Sequence, residues 1–254
     1  ALNLPIMRRL LGGGTTFLDR NQIFYQCIFH HSRVPWRADK VYQMMLDAPV
    51  KVLNRIGLSG RLRAVNEVEA NSVRIAGIGG GRVGEAMVVV GNLLLDFDYR
   101  LMSSVWKVPD QSFRNLALET MEERVGTLNK LGCDHTLESL ESHLAEAFIE
   151  SLERPLRDQQ LKSEEIQAGR NAASDLSSLE FLSLHNPVGK VKPMKSLKIS
   201  ADVFIHRIHI RLEDQVADVS VRADKGIVTD LQTDSPKKTK IRKFLIGTPL
   251  SEWT

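Results

Sequence analysis

The chain has 254 residues, with 34 basic against 31 acidic side chains and a formal net charge of +3. That balance excludes a dedicated nucleic-acid or membrane-surface protein, while the length is enough for one large or two unequal domains. Two cysteines, Cys27 and Cys133, fit no zinc or redox spacing and imply a reducing compartment. No apolar run approaches the roughly 20 residues of a membrane span. The sequence reads as lacking a signal peptide, so the expected location is cytoplasmic.

The first feature in chain order is Arg8-Arg9-Leu10-Leu11-Gly12-Gly13-Gly14-Thr15-Thr16-Phe17-Leu18-Asp19. Three glycines let ligand atoms approach the backbone, and successive N–H groups in such a turn form an anion-binding concavity. The arginines add forked cationic donors. The competing reading is a flexible hairpin. No Lys-Ser or Lys-Thr follows, which excludes a Walker A loop, and no helix opens after Gly14, which excludes the dinucleotide fingerprint. Asn21 to His30 instead reads as a strand. The chain starts with Ala and reaches its glycine loop at once. The expectation is that the natural protein starts earlier, or that a second polypeptide supplies part of the scaffold.

Asp39 to Ile56 carries a helical apolar stripe, with Pro49 expected to kink or split it and Gly57 to stop it. Arg61 to Ile78 reads as short strands. A second run, Gly79-Gly80-Gly81, then leads through Arg82-Val83-Gly84-Glu85 to the strongest strand, Ala86 to Phe97, expected at the centre of a sheet. Asn92 within it needs partners, as a backbone clamp or as a ligand contact. Tyr99 to Val108 reads as a helix stopped by Pro109. Asp110 is a candidate N-cap for a helix from Gln111 to Leu131, closed by Gly132, and Thr136 for a helix ending at Pro155. Ser163 to Leu184 carries one more helical pattern, and these helices read as packing material. Asn186 to Pro193 reads as a linker. Beyond it the chain turns β-rich from Leu197, with a turn at Asp224-Lys225-Gly226 and a short helix over Lys237 to Leu245. This last unit is too small to stand alone and is expected to dock on the rest.

Taken in order, these motifs resemble the lipoate–protein ligase family, related to biotin ligases. Arg8 to Asp19 is similar to its Arg-Arg-x-Ser-Gly-Gly-Gly loop. Asn66-Glu67 resembles its Asn-Asp pair, Arg74-Ile75-Ala76-Gly77 its Lys-Ile-Ser/Ala-Gly segment, and Gly91 to Asp98 the strand that follows. Trp106-Lys107-Val108-Pro109 resembles the short helix end after that strand. Lys198 to His206 and Asp224-Lys225-Gly226-Ile227 resemble the accessory domain. The resemblance implies an α+β fold: a mixed sheet with flanking helices over residues 1–186 and a small α+β accessory domain over 187–254.

The implied activity has two steps. Lipoate and ATP, with Mg2+, form lipoyl-AMP and pyrophosphate. The acyl group then passes to a lysine on a carrier domain of the 2-oxoacid dehydrogenase or glycine cleavage type. Carried over by position, Arg9 binds phosphate, and Gly14, Thr15, Thr16 and Phe17 line the adenylate and acyl channel. Gly12, Gly13, Asp19, Asn66, Gly77 and Asn92 complete the substrate-binding set. Arg74 takes the catalytic place where the family has lysine; it keeps the charge but is larger and planar, so it either clamps an adenylate or blocks the site. Leu10-Leu11 and Leu18 replace polar residues of the family loop, Asp19-Arg20-Asn21-Gln22 departs from Asp-x-Gly-Asn, and the first third of the catalytic domain is absent.

Two alternatives stay open. One is a non-catalytic member that binds lipoate, lipoyl-adenylate or a carrier. The other is a transferase using Cys27 as nucleophile, for which no activating base is evident. No metal site is expected. His30 and His31, adjacent on a strand, should point to opposite faces, and His206 and His209 are oddly spaced. Lys237 to Lys240 reads as a solvated turn or a contact for an acidic carrier.

Overall fold

A computed structural model describes residues 4–184, 194–212 and 215–253. The Asn186–Pro193 linker lies outside the described residues. The architecture is α+β, as the sequence suggested. Strands β1 (Gln22–His30), β2 (Arg61–Arg63), β3 (Glu67–Ala70), β4 (Val73–Val83) and β5 (Ala86–Leu94) form an antiparallel sheet in the order β1-β5-β4-β3-β2. β5 pairs with β1 on one side and β4 on the other, so the apolar run is an inner strand.

Alternation divides this sheet into two faces. Ile23, Tyr25, Val68, Ala76, Ile78, Val89 and Leu93 enter the first core. Helices α1 (Ala38–Arg55) and α4 (Leu137–Leu152) cover them with Met45, Leu46, Leu53, Leu140 and Leu144. The opposite face carries Phe24, Gln26, Ile28, Val88, Val90 and Asn92, with Gly77, Gly79 and Gly81 opposite the last three across the β4–β5 ladder. Phe24 and Ile28 on that face are exposed, and the N-terminal segment crosses it.

Pro49 does not split α1; the helix runs through it, and Pro49 is buried. Gly79-Gly80-Gly81 lies within β4, and the chain reverses at Gly84-Glu85. One boundary is corrected. The helix from Gln111 (α3, with α2 being Tyr99–Val105) ends at Arg124, not Leu131. There the chain turns extended, and Val125 forms a parallel bridge with Arg74 while Gly126 N–H donates to Arg74 C=O at 2.9 Å. Sheet pairing thus takes over from helix propensity. Both predicted N-caps are present: Asp110 accepts from Phe113 N–H and Thr136 from Ser139 N–H.

Helices α5 (Ser163–Ser177) and α6 (Leu179–Leu182) also depart from expectation, since neither has a buried residue. They are not packing material. They make backbone contact with the N-terminal segment instead: Arg8 N–H donates to Leu176 C=O and its guanidinium to Leu182 C=O.

The C-terminal strands β6 (Ser196–Ser200), β7 (Val203–Leu212), β8 (Gln215–Asp224) and β9 (Ile227–Gln232) make a second antiparallel sheet. Helix α7 (Lys238–Leu245) closes one face with Ile241 and Leu245. On the other, Ile199, Val203 and Ile205 share a core with α2 and α3. Two polar clasps reinforce this docking. Asp110 pairs with Arg207, and Glu123 and Asp224 converge on Arg222. A third clasp comes from the first sheet: buried Glu67 accepts Ala201 N–H at 2.8 Å and pairs with Lys198 at 3.4 Å.

Candidate functional site

The glycine loop crosses the open face of the first sheet above the glycines of β4. A Cβ at Gly79 would stand 3.5 Å from Gly12 C=O, and one at Gly81 3.5 Å from a Leu11 methyl. The second glycine run is therefore a side-chain-free floor for the first. Gly13 sits at φ +123°, a conformation open to glycine, and Arg9 folds into the room it leaves. The Arg9 guanidinium donates to Gly12 and Gly14 carbonyls, the latter at 2.8 Å, and to Thr16 Oγ1 at 3.2 Å. Arg9 thus shapes the loop from within. Thr15 and Thr16 are exposed, while Phe17 turns inward against Phe97.

Asn92 and Gln22 tie the loop's far end to the sheet. Asn92 Oδ1 accepts Gly77 N–H at 3.1 Å, and its amide donates to Gln22 Oε1 at 3.4 Å. Gln22 in turn donates to Phe17 C=O at 3.1 Å and to Asp19 Oδ1 at 3.2 Å. Of the two readings of Asn92, this geometry is the backbone clamp. Buried Gln22 was not singled out from the sequence, where it is one polar residue at the start of a strand. Asn66 stands at the next strand's edge, its carbonyl accepting Ile78 N–H at 3.0 Å.

Arg74 completes the arrangement. Its half-buried guanidinium lies over Gly77, where an added Cβ would meet it closely, on the same face as the loop. No described residue supplies it with a hydrogen-bond acceptor or an anion. A half-buried planar cation with no partner among the described residues, beside backbone amides on an exposed sheet face, suits a bidentate anion such as phosphate or carboxylate. The structure therefore brings Arg9, Gly12, Gly13, Gly14, Phe17, Asp19, Arg74, Gly77 and Asn92 into one patch. Thr16 joins them through its bond from Arg9, Asn66 lies one strand over, and the Thr15 side chain has no hydrogen bond to any described residue.

Cys27 lies on the opposite, helix-covered face, and burial pushes its thiol up to about 11. That is the reverse of what a nucleophile needs. The histidine expectation is corrected. β1 ends at His30 and His31 opens a 3-10 turn, so the two rings meet at 4.6 Å rather than facing apart.

Comparison with known proteins bears on the fold and the family. Residues 1–149 match the family model of the lipoyl protein ligase A/B catalytic domain. Subunit 1 of lipoate-protein ligase A from Thermoplasma acidophilum is 24% identical over 177 residues, covering 66% of each chain. The chain spans less than two thirds of the length of the curated relatives it matches. Among solved structures, the bipartite lipoate protein ligase of T. acidophilum, studied with its E2 lipoyl domain, superposes with a TM-score of 0.64 at 22% identity, over 74% of this chain and 72% of the other. A lipoate-protein ligase A bound with ATP gives 0.58 at 22% identity, over 69% and 70%. These likenesses establish the fold. Among the described residues no helix is long and apolar enough to cross a membrane.

Proposed function

The chain belongs to the lipoyl protein ligase A/B catalytic domain family, and from that premise we propose that it is an ATP-dependent lipoate–protein ligase. In this reading a lipoate carboxylate oxygen attacks the α-phosphorus of ATP, the bond to the β-phosphate oxygen breaks, and pyrophosphate leaves. A carrier lysine amine then attacks the acyl carbon and AMP departs. The carrier is a lipoyl domain of the 2-oxoacid dehydrogenase or glycine cleavage type, and a second polypeptide completes the working enzyme. Residues 1–186 do the catalysis and 187–254 are the accessory domain.

One observation carries the reading: the half-buried Arg74 guanidinium over Gly77, on the sheet face that the glycine loop crosses, with no partner among the described residues. It neutralises the α-phosphate and the incoming carboxylate, two anions that repel each other unless a fixed cation lies between them. Loop N–H groups and a repositioned Arg9 hold the outer phosphates. The floor of Gly79 and Gly81 seats the loop, and Val88, Val90 and Phe24 on the same sheet face offer the substrate an apolar wall. The clamp through Asn92 and Gln22 keeps the loop in register with Arg74. When bound, Mg2+ would neutralise charge on the phosphates, and Asp19 is the loop carboxylate that would hold it through Oδ2, since Oδ1 accepts from Asn21 N–H and Gln22.

A second reading has one observation in its favour. The Arg74 guanidinium fills the space over Gly77, so a protein that binds preformed lipoyl-adenylate or a carrier without turnover also fits. Incubation of the full chain with lipoate, ATP and Mg2+ separates the two. The ligase reading expects lipoate-dependent pyrophosphate release and lipoyl-AMP. Tight binding of added lipoyl-AMP with no pyrophosphate release supports the second reading and removes the first.

A further inference from the structure

At the far end of the first sheet, about 20 Å along β5 from Asn92, three donors converge from two chain segments. His31 Nε2 lies 2.7 Å from Glu85 Oε2, and His30 Nε2 lies 3.7 Å from the same oxygen. One ligand atom from each of the three residues falls within 4.8 Å of the others. Two ligands around one tetrahedral zinc ion are about 3.3 Å apart at bond lengths near 2.0 to 2.1 Å. The observed separations straddle that value, so small side-chain adjustments suffice. We propose that His30, His31 and Glu85 form a binding site for a borderline divalent transition ion of the zinc type, separate from the ligand patch under the glycine loop.

The backbone fixes these donors. His30 is the last residue of β1 and pairs with Ala86. Glu85 is the second residue of the two-residue turn joining Val83 to Ala86, where Gly84 takes φ +58°. That pattern, glycine first at positive φ, is a tight hairpin reversal. His31 N–H donates to Glu85 C=O at 2.9 Å, which ties the histidine pair to the hairpin tip. The ligands thus stand on paired strands rather than on a loose loop.

The surroundings also suit a metal. Ser32 N–H donates to His30 Nδ1 at 3.3 Å, and Ser32 Oγ lies 2.7 Å from the same nitrogen. A metal at Nε2 would move the ring proton to Nδ1, giving up the weak Ser32 N–H contact and donating to the Ser32 hydroxyl instead, the kind of outer contact that orients ligating histidines. Arg82 donates to the other carboxylate oxygen, Glu85 Oε1, at 3.1 Å. It leaves Oε2 free for the ion but competes electrostatically, so the site is a modest one. Two imidazoles and one carboxylate select zinc, nickel or copper over magnesium. The bound ion clips the end of β1 to the β4–β5 hairpin whose middle carries the glycine floor.

Calorimetric titration of Zn2+ into tag-free, chelator-treated full chain tests this. One equivalent should bind, unaffected by excess Mg2+. His30→Ala, His31→Ala and Glu85→Gln should each weaken binding by about a hundredfold or abolish it, and Ser32→Ala by about tenfold. Arg82→Ala should tighten it. All five positions are on the surface or half-buried, and circular dichroism checks that each variant keeps the wild-type fold. Absence of a stoichiometric zinc, or wild-type affinity in His31→Ala, overturns the site.

Discussion

Replacing Glu67 with alanine removes a buried clasp between the first sheet and the C-terminal one, leaving the weaker Arg63 to Ala201 C=O contact at 3.3 Å. The Glu67 side chain is 3% exposed, and its carboxylate meets Ala201 N–H at 2.8 Å and Lys198 at 3.4 Å. Losing the acceptor leaves a buried N–H unsatisfied, a cost of about 1–3 kcal/mol. The Lys198 pair has one solvent-facing partner and adds at most about 1 kcal/mol. Glu67→Ala should therefore lower stability by about 1–4 kcal/mol. Glu67→Gln keeps an oxygen for Ala201 and gives up only the charge, so its loss should be near 1 kcal/mol. Urea unfolding followed by circular dichroism and tryptophan fluorescence measures both. Trp106 reports the shared core and Trp253 the C-terminal one. In Glu67→Ala the C-terminal probe should also melt first, because its sheet loses an anchor. Equal losses in the two variants, or a loss below about 0.5 kcal/mol in alanine, would refute the reasoning that a buried acceptor holds the two sheets together.

Acid should loosen the neighbouring clasp. Arg222 holds the Glu123 carboxyl below its ordinary range; burial raises that of Asp224, but hydrogen bonding to Arg222 and the charge of Arg124 outweigh it and the net direction is down. Carboxyls held low when folded stabilise above their unfolded values, about 3.9 to 4.3, and lose that contribution as pH falls through the folded ones. Wild type should thus lose stability below about pH 4.5, and Arg222→Met, already weaker at neutral pH, should lose less across that window. Gly79→Val puts methyl groups where the loop crosses β4. Adenylation should fall about a hundredfold with the melting temperature unchanged, and wild-type rates would show that the loop does not use that floor. Cys27→Ser should keep activity within about twofold, since burial holds the thiol protonated; abolished activity in a folded variant would return the cysteine to the mechanism.

Local chemistry made much of the fold legible. β1, β5, the caps Asp110 and Thr136, and the Lys225-Gly226 turn follow from apolar runs and side-chain preferences that act within a few residues. Gly79-Gly80-Gly81 carries a turn's composition, yet β5 on one side and the loop above make it a strand whose missing side chains serve as clearance. The misreadings have tertiary causes. Val125 and Gly126 abandon a helix-compatible pattern because Arg74 offers them a strand edge. The His30–His31 argument assumed that the strand continued, and it stops one residue too soon. In the candidate site, the loop, Arg74, Gly77 and Asn92 were visible as motifs. Gln22 was not, because its meaning lies in bonds to Asn92, Phe17 and Asp19 that only the folded sheet creates.

The central claim is that Arg74 is the cation on which lipoyl-adenylate forms. Single-turnover formation of lipoyl-AMP by wild type and by Arg74→Ala, at saturating lipoate and ATP, measures it most directly. The account predicts adenylate in the wild type and a loss of about a hundredfold or more in the variant, with the fold intact. Equal rates in the two proteins would contradict it.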